Sequence, residues 1–156
     1  WWKRATLMHI INLRFAEGSD GMQQVKANEL WLKAGELGCA EAYSRLGYSF
    51  SNGMGVEASI KKAKHYWELA ALKGDLEARC SLGCVEGQAG NLHRALKHFI
   101  LAAKYGYKDS LGEVKKGFTN GFVTKEEYES TLRAYYKRQT EMKSEARDTA
   151  AGFYAI

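Results

Sequence analysis

A chain of 156 residues is long enough to bury one core, and its composition favours helix, since it holds no proline while 46% of its residues are hydrophobic. Three cysteines, an odd number without framework spacing, argue against a secreted disulfide scaffold and for reduced thiols in a cytoplasmic or nuclear compartment. No stretch approaches a membrane span or the apolar core of a signal peptide, so no membrane association is expected.

The opening Trp1-Trp2-Lys3-Arg4-Ala5-Thr6-Leu7-Met8-His9-Ile10-Ile11 reads as a helix inside a longer protein. Ile11-Asn12-x-x-Phe15-x-x-Gly18 then precedes Lys26-Ala27-x-x-Leu30-Trp31-x-x-Ala34-Gly35-x-x-Gly38, and 36 residues later the second pattern recurs as Lys62-Ala63-x-x-Tyr66-Trp67-x-x-Ala70-Ala71-x-x-Gly74. Such a period marks stacked supersecondary units, none of which can bury its apolar face alone. Between the two copies, Ala42, Leu46, Phe50 and Gly53 fall within a quarter turn on a helix, as do Ala63, Trp67, Ala70 and Gly74, so each hairpin presents one apolar stripe per helix. Gly53-Met54-Gly55 is expected to turn the chain back, and Gly74 to end the second helix.

A third copy runs Ala78-x-x-x-Leu82-Gly83, then Gly90-Asn91-x-x-x-Ala95-x-x-x-Phe99-x-x-Ala102-Ala103-x-x-Gly106, with a hairpin four residues tighter. Glu86 takes the register of Phe50 there, so this helix is expected to end early or to be more exposed. Ser110-Leu111-x-x-Val114-x-x-x-Phe118 starts a fourth unit without the usual second helix. Thr124-Lys125-Glu126-Glu127 has the form of a capping box and should open a long helix. Along it Tyr128, Leu132, Tyr135, Met142 and Ala146 make an apolar stripe that Gln139 interrupts. The apolar half is expected to cap the last hairpin, and the rest to project into solvent. The boundaries are repeats over 1–122 (1–38, 39–74, 75–106 and a partial 107–122), a capping helix over 123–150 and a tail over 151–156.

The charge excess of +5 is concentrated. Residues 61–116 carry eleven basic and six acidic side chains, whereas 1–60 and 117–156 are each balanced at six and six. The lysines form no long basic block and read as solvated helix faces, and the aromatics Phe15, Trp31, Trp67 and Phe99 occupy core registers, so nucleic acid is not the expected partner. Cys80 and Cys84, with His93 and His98 on the following helix, suggest zinc only formally, because the two histidines lie about 140° apart around the helix; no metal or other cofactor is expected. Gly53-x-Gly55 lacks the rest of a phosphate loop, and no catalytic triad, His-Glu-x-x-His or paired-carboxylate arrangement occurs, so the chain is not read as an enzyme.

The residues quoted from Ala42 to Gly74, and their copies, resemble the Sel1-like repeat family, relatives of the tetratricopeptide repeats, over about residues 5–122. The resemblance implies an all-α fold, a right-handed superhelix (solenoid) of helix hairpins, closed here by the long C-terminal capping helix. It also implies a non-catalytic scaffold or adaptor role, with a partner protein or peptide held in a concave groove lined by the first helices. Carried across by position, the groove registers are Glu41, Ser44, Tyr48, Ser51 and Asn52, then Glu77, Cys80, Cys84 and Gln88. The segment from Gly121 to Tyr128, followed by Leu132-Arg133-Ala134, also resembles the tail of Sel1-like proteins with a RING-type zinc-binding segment upstream. That likeness implies an alternative role as the substrate-holding arm of a ubiquitin ligase.

Overall fold

The computed structural model describes residues 21–154, and the sequence-based expectations for residues 1–20 lie outside them. Seven helices are found among the described residues: α1 (Gly21–Glu36), α2 (Ala40–Asn52), α3 (Ile60–Leu72), α4 (Leu76–Gln88), α5 (Leu92–Lys104), α6 (Lys108–Thr119) and α7 (Lys125–Tyr154). No strand occurs there. The chain divides into two compact units, residues 1–82 and 83–156.

In the first unit, α2 and α3 form the hairpin expected from Ala42 to Gly74. Ala42, Leu46, Ala63, Trp67, Ala70 and Ala71 are all buried. The indole of Trp67 lies where Gly47 has no side chain, and its Nε1 donates to the Ser44 carbonyl at 3.2 Å. Gly35 of α1 leaves a similar space, which the ring of Tyr43 enters; a Cβ on Gly35 would fall 2.5 Å from that ring. The register of Tyr43 is held in the next repeat by Arg79, and that of Gly35 by Ala71. There the larger residue gives up ring packing, and the Arg79 guanidinium donates to the Ala71 carbonyl at 3.0 Å, near the C-terminus of α3.

The turn between α2 and α3 has a second task. Gly53 and Gly55 both adopt positive φ, at 67° and 68°. A Cβ on Gly55 would stand 2.7 Å from the backbone of Gln24 and Val25, so the turn lies directly on α1. The buried Asn28 completes this contact by donating from Nδ2 to the Met54 carbonyl at 2.8 Å. Beside it Tyr66 is stacked between Tyr43 (6.1 Å between centroids) and Phe50 (5.4 Å).

In the second unit Phe99 of α5 repeats the arrangement against Gly83, and Leu96 packs into the space at Gly117 of α6, where an added Cβ would meet it at 2.6 Å. The expectation for Glu86 is corrected. The helix does not end early, because α4 has the same 13 residues as α2, and Glu86 is only 5% exposed. The shortened hairpin brings Asn91 back beneath it, so that Asn91 Nδ2 donates to Glu86 Oε2 at 2.8 Å and the Asn91 N–H to the Glu86 carbonyl at 2.8 Å. A buried carboxylate needs such donors.

The capping box forms as its spacing predicts, with the Glu127 N–H donating to Thr124 Oγ1 at 3.2 Å and the Thr124 N–H to Glu127 Oε2 at 3.3 Å. The helix it opens runs to Tyr154, so residues 151–154 of the expected tail are helical, with only Gly152 to oppose continuation. Its first half packs on α5 and α6: Tyr128 stacks on Phe118 at 4.6 Å, and Thr131 is fully buried. Gln139 does not interrupt this contact but makes it, donating from Nε2 to the Gly106 carbonyl at 3.1 Å. From Glu145 to Gly152 every residue is exposed.

Gly83 and Gly112 give the fold a paired test. An added Cβ on Gly83 would meet the Phe99 ring at 2.6 Å, whereas nothing lies within 4 Å of one on Gly112. Gly83→Ala is expected to destabilise the protein by about 1–3 kcal/mol, and Gly112→Ala to stabilise it by roughly 0.5–1 kcal/mol; urea unfolding followed by circular dichroism checks both.

Candidate partner-binding site

Packing against α1 and α3 leaves only a narrow ridge of α2 in solvent. On α2 the exposed residues are Glu41, Arg45, Tyr48 and Asn52. They stand at steps of four, three and four and fall within about 60° of one another around the helix. Glu41 and Arg45 form an ion pair at 3.4 Å. Asn52 Nδ2 donates to the Tyr48 carbonyl at 3.0 Å, one turn back on the same face. Tyr48 is 39% exposed, and its ring stands edge-on to the buried Trp67, with centroids 5.7 Å apart and planes at 84°. The core therefore fixes how this ring is presented.

Of the residues expected to line a groove, the structure places Glu41, Tyr48 and Asn52 together on this ridge and Ser51 half-buried at its side. Ser44 is a correction. It is 2% exposed, its carbonyl accepts from Trp67, and it faces the core rather than a partner. Arg45 was missed, although its i, i+4 spacing from the acidic Glu41 is the pattern that marks a shared exposed face.

The same registers on α4 are Glu77, Ser81, Cys84 and Gln88. Glu77 and Ser81 are half-buried, with Ser81 Oγ donating to the Glu77 carbonyl at 3.0 Å, while Cys84 and Gln88 are exposed. Cys80 corresponds to Ser44 and is half-buried. On α6 the registers are Asp109, Glu113, Lys116 and Asn120. Lys116 bonds Glu113 at 2.6 Å. That hydrogen bond, then the charge of Glu113, and to a lesser degree nearby Cys84, raise the lysine above its usual pKa.

The three ridges share their ends and differ in their middles. Each opens on a carboxylate, which the positive end of the helix dipole favours, and each closes on an amide, which can serve a terminal carbonyl. Helix physics thus accounts for the first and fourth positions. The two central ones are Arg45 and Tyr48, Ser81 and Cys84, or Glu113 and Lys116, and no rule of capping or packing dictates them. Among the described residues no three potential metal ligands converge, and no helix is long and apolar enough to cross a membrane.

An all-α chain of successive helix hairpins, with a ridge of variable residues on each first helix, belongs to the class of helical repeat proteins. Within that class it is a member of the Sel1 repeat family, whose model matches residues 15–39, 40–75 and 76–107. The last two matches coincide with the α2–α3 and α4–α5 hairpins. A crystal structure of a Sel1 repeat protein from Oxalobacter formigenes is similar in fold, with a TM-score of 0.65 at 20% sequence identity, covering 86% of this chain and 57% of that one. The present chain thus spans little more than half the length of that protein. No curated protein matches it. The fold is accordingly that of an all-α repeat solenoid, in a family of generally non-catalytic protein-interaction scaffolds.

The Glu113–Lys116 pair predicts a pH response that can be read locally. Removing the carboxylate as Glu113→Gln should return Lys116 downward toward the ordinary lysine value, as observed by NMR titration of its side chain. Because the pair raises the folded-state pKa, its stabilising contribution is present at neutral pH and is lost as the pH rises through the lysine's titration.

Proposed function

We propose that this chain is a non-catalytic adaptor that holds a partner protein or peptide against the exposed ridges of its first helices, with Tyr48 as the main anchor. The observation that carries this reading is the setting of Tyr48. A large amphipathic ring stands partly in solvent, yet its edge-on contact with Trp67 has already removed much of its freedom. Such a ring offers contact area at little further entropic cost, which is why tyrosine dominates many recognition surfaces. Glu41 and Arg45 beside it supply one charge of each sign in a preformed pair. The chemistry that suits them is a partner with both an acceptor and a donor flanking an apolar residue.

In the first unit Ser51, Asn52, Glu77 and Cys80 extend the proposed surface with small polar groups, while Ser44 is withdrawn from it; in the second, Cys84 and Gln88 are the proposed ridge residues. Membership of a scaffold family supports this reading.

The test begins with partners recovered from native extract and identified by mass spectrometry. Affinity for one purified partner is then compared between the parent chain and a Tyr48→Ala, Glu41→Ala double variant. A loss of at least tenfold, about 1.4 kcal/mol, with an unchanged helical spectrum is expected. Unchanged affinity would move the site off α2.

A further inference from the structure

The basic excess of residues 61–116 lies on the second helices, α3 and its C-cap with Lys61, Lys62, Lys64 and Lys73 against Glu68, and α5 with Arg94, Lys97 and Lys104. Five of the six acids in that stretch belong to the first helices: Asp75, Glu77 and Glu86 on or capping α4, and Asp109 and Glu113 on α6. The second helix α5 contains no carboxylate at all. Its buried face is Ala95, Leu96, Phe99, Ala102 and Ala103. Opposite, within about 120° of arc, stand His93, Arg94, Lys97, Leu101, Lys104 and Tyr105. Leu101 is 38% and Tyr105 60% exposed.

This face is not one that helix physics would choose. Lys104 in the last turn suits the dipole, but Arg94 lies in the first turn, where a cation is disfavoured and no acid of the helix offsets it. Nor are the cations neutralised internally. Among the described residues Glu113 pairs with Lys116, Glu129 with Lys125 and Arg133, and Glu141 and Glu145 with Arg138. No ion pair reaches Arg94, Lys97 or Lys104. The equivalent face of α1 is different, since there Lys26 and Lys33 alternate with Glu29 and Glu36.

We infer that the outer face of α5 is a second docking surface, separate from the first-helix ridges, and that its occupant is an acidic peptide segment of a partner protein with an apolar residue at its centre. Charge complementarity sets the sign of the occupant. The geometry sets its class. Arg94, Lys97, Leu101 and Lys104 follow one another at steps of three, four and three over about 15 Å of helix, which places cations at both ends and an apolar contact in the middle. Two to three turns of an acidic helix match that span, with carboxylates one turn either side of an apolar side chain. A bilayer would call for apolar side chains projecting past the cations along the whole face, and Leu101 and Tyr105 are confined to its C-terminal half. A nucleic-acid strand would call for several stacking rings, and Tyr105 is the face's one phenol or indole.

The test uses a labelled synthetic 15-residue peptide, rich in glutamate and carrying leucine at its centre, titrated by fluorescence anisotropy at low and at physiological salt. Binding that weakens with salt and falls at least tenfold in an Arg94→Glu, Lys97→Glu, Lys104→Glu variant is expected. A charge-matched control, Lys26→Glu, Lys33→Glu, Lys137→Glu, should stay within about twofold, because the effect belongs to the face and not to net charge. Leu101→Ser should cost about three- to tenfold with every charge in place. If the triple reversal fails to fold by circular dichroism, the neutral Arg94→Gln, Lys97→Gln, Lys104→Gln set takes its place with the same expected loss. The inference is overturned if the control loses as much as the α5 variant, if Leu101→Ser is silent, or if phosphatidylserine vesicles or a single-stranded oligonucleotide bind this face in preference to the peptide. The Tyr48→Ala, Glu41→Ala variant should bind the acidic peptide normally, so failure of one surface is distinguishable from failure of the other.

Discussion

Close approach of helices at a missing Cβ governs this structure. Gly47 receives Trp67, Gly83 receives Phe99, Gly35 receives Tyr43, and Gly117 receives Leu96. At each point a bulky side chain from one helix occupies the volume that a methyl group on the other would fill, which brings the interior to the density a protein core requires. The interlock fixes rotation as well as distance. With Trp67 seated over Gly47 and bonded to the Ser44 carbonyl, α2 cannot turn about its axis without losing both the packing and the acceptor for a buried indole N–H. The same contact that builds the core therefore decides which side of α2 meets solvent, and Tyr48 is presented outward because the neighbouring registers are locked inward.

This dependence explains what the sequence made legible. The repeat, the hairpins, the turns at Gly53 and Gly74 and the capping box at Thr124 are all written in core and backbone chemistry, where few residues satisfy each position. The surface was read less well. Ser44 is expected in the groove because the family's register, carried across by position from Leu46-Gly47, falls on it. On α2, however, the exposed residues occupy only about a sixth of the circumference. Counting three- and four-residue steps finds a face, but it cannot say how narrow that face is. Arg45 is not among the registers carried across, and only its four-residue spacing from Glu41 points to it. Trp31 adds a limit of another kind. Its Nε1 is buried with no acceptor among the described residues, and the carbonyl that the 35-residue offset of the first helices assigns to it belongs to His9, which lies outside them.

Substitutions between repeats also show how one contact is exchanged for another. Where the first repeat pairs Gly35 with the Tyr43 ring, the next has Ala71 and Arg79, and dispersion over a flat ring gives way to a charge-assisted hydrogen bond on a terminal carbonyl. Where one hairpin has Phe50 stacked on Tyr66, the shorter one has Glu86 bonded to Asn91. In both cases two positions change together, and the stack persists because the volume and the polar pairing are each satisfied anew. An isolated change at either position would leave a void or an unpaired charge.

The end of the array follows from the same accounting. A second helix finishing at Lys104 exposes its last carbonyls, and in an ordinary hairpin the next repeat would cover them. Here α7 does so, and it must bring a donor to the Gly106 carbonyl, which Gln139 supplies at 3.1 Å. An aliphatic side chain would have kept the apolar stripe of α7 unbroken and left that half-buried acceptor without this donor. The glutamine that looks like a flaw in an amphipathic pattern is thus required by the helix before it. Beyond that contact nothing remains to be covered, and the rest of α7 is free to be polar, carrying the Arg138 ion pairs to Glu141 and Glu145 into solvent.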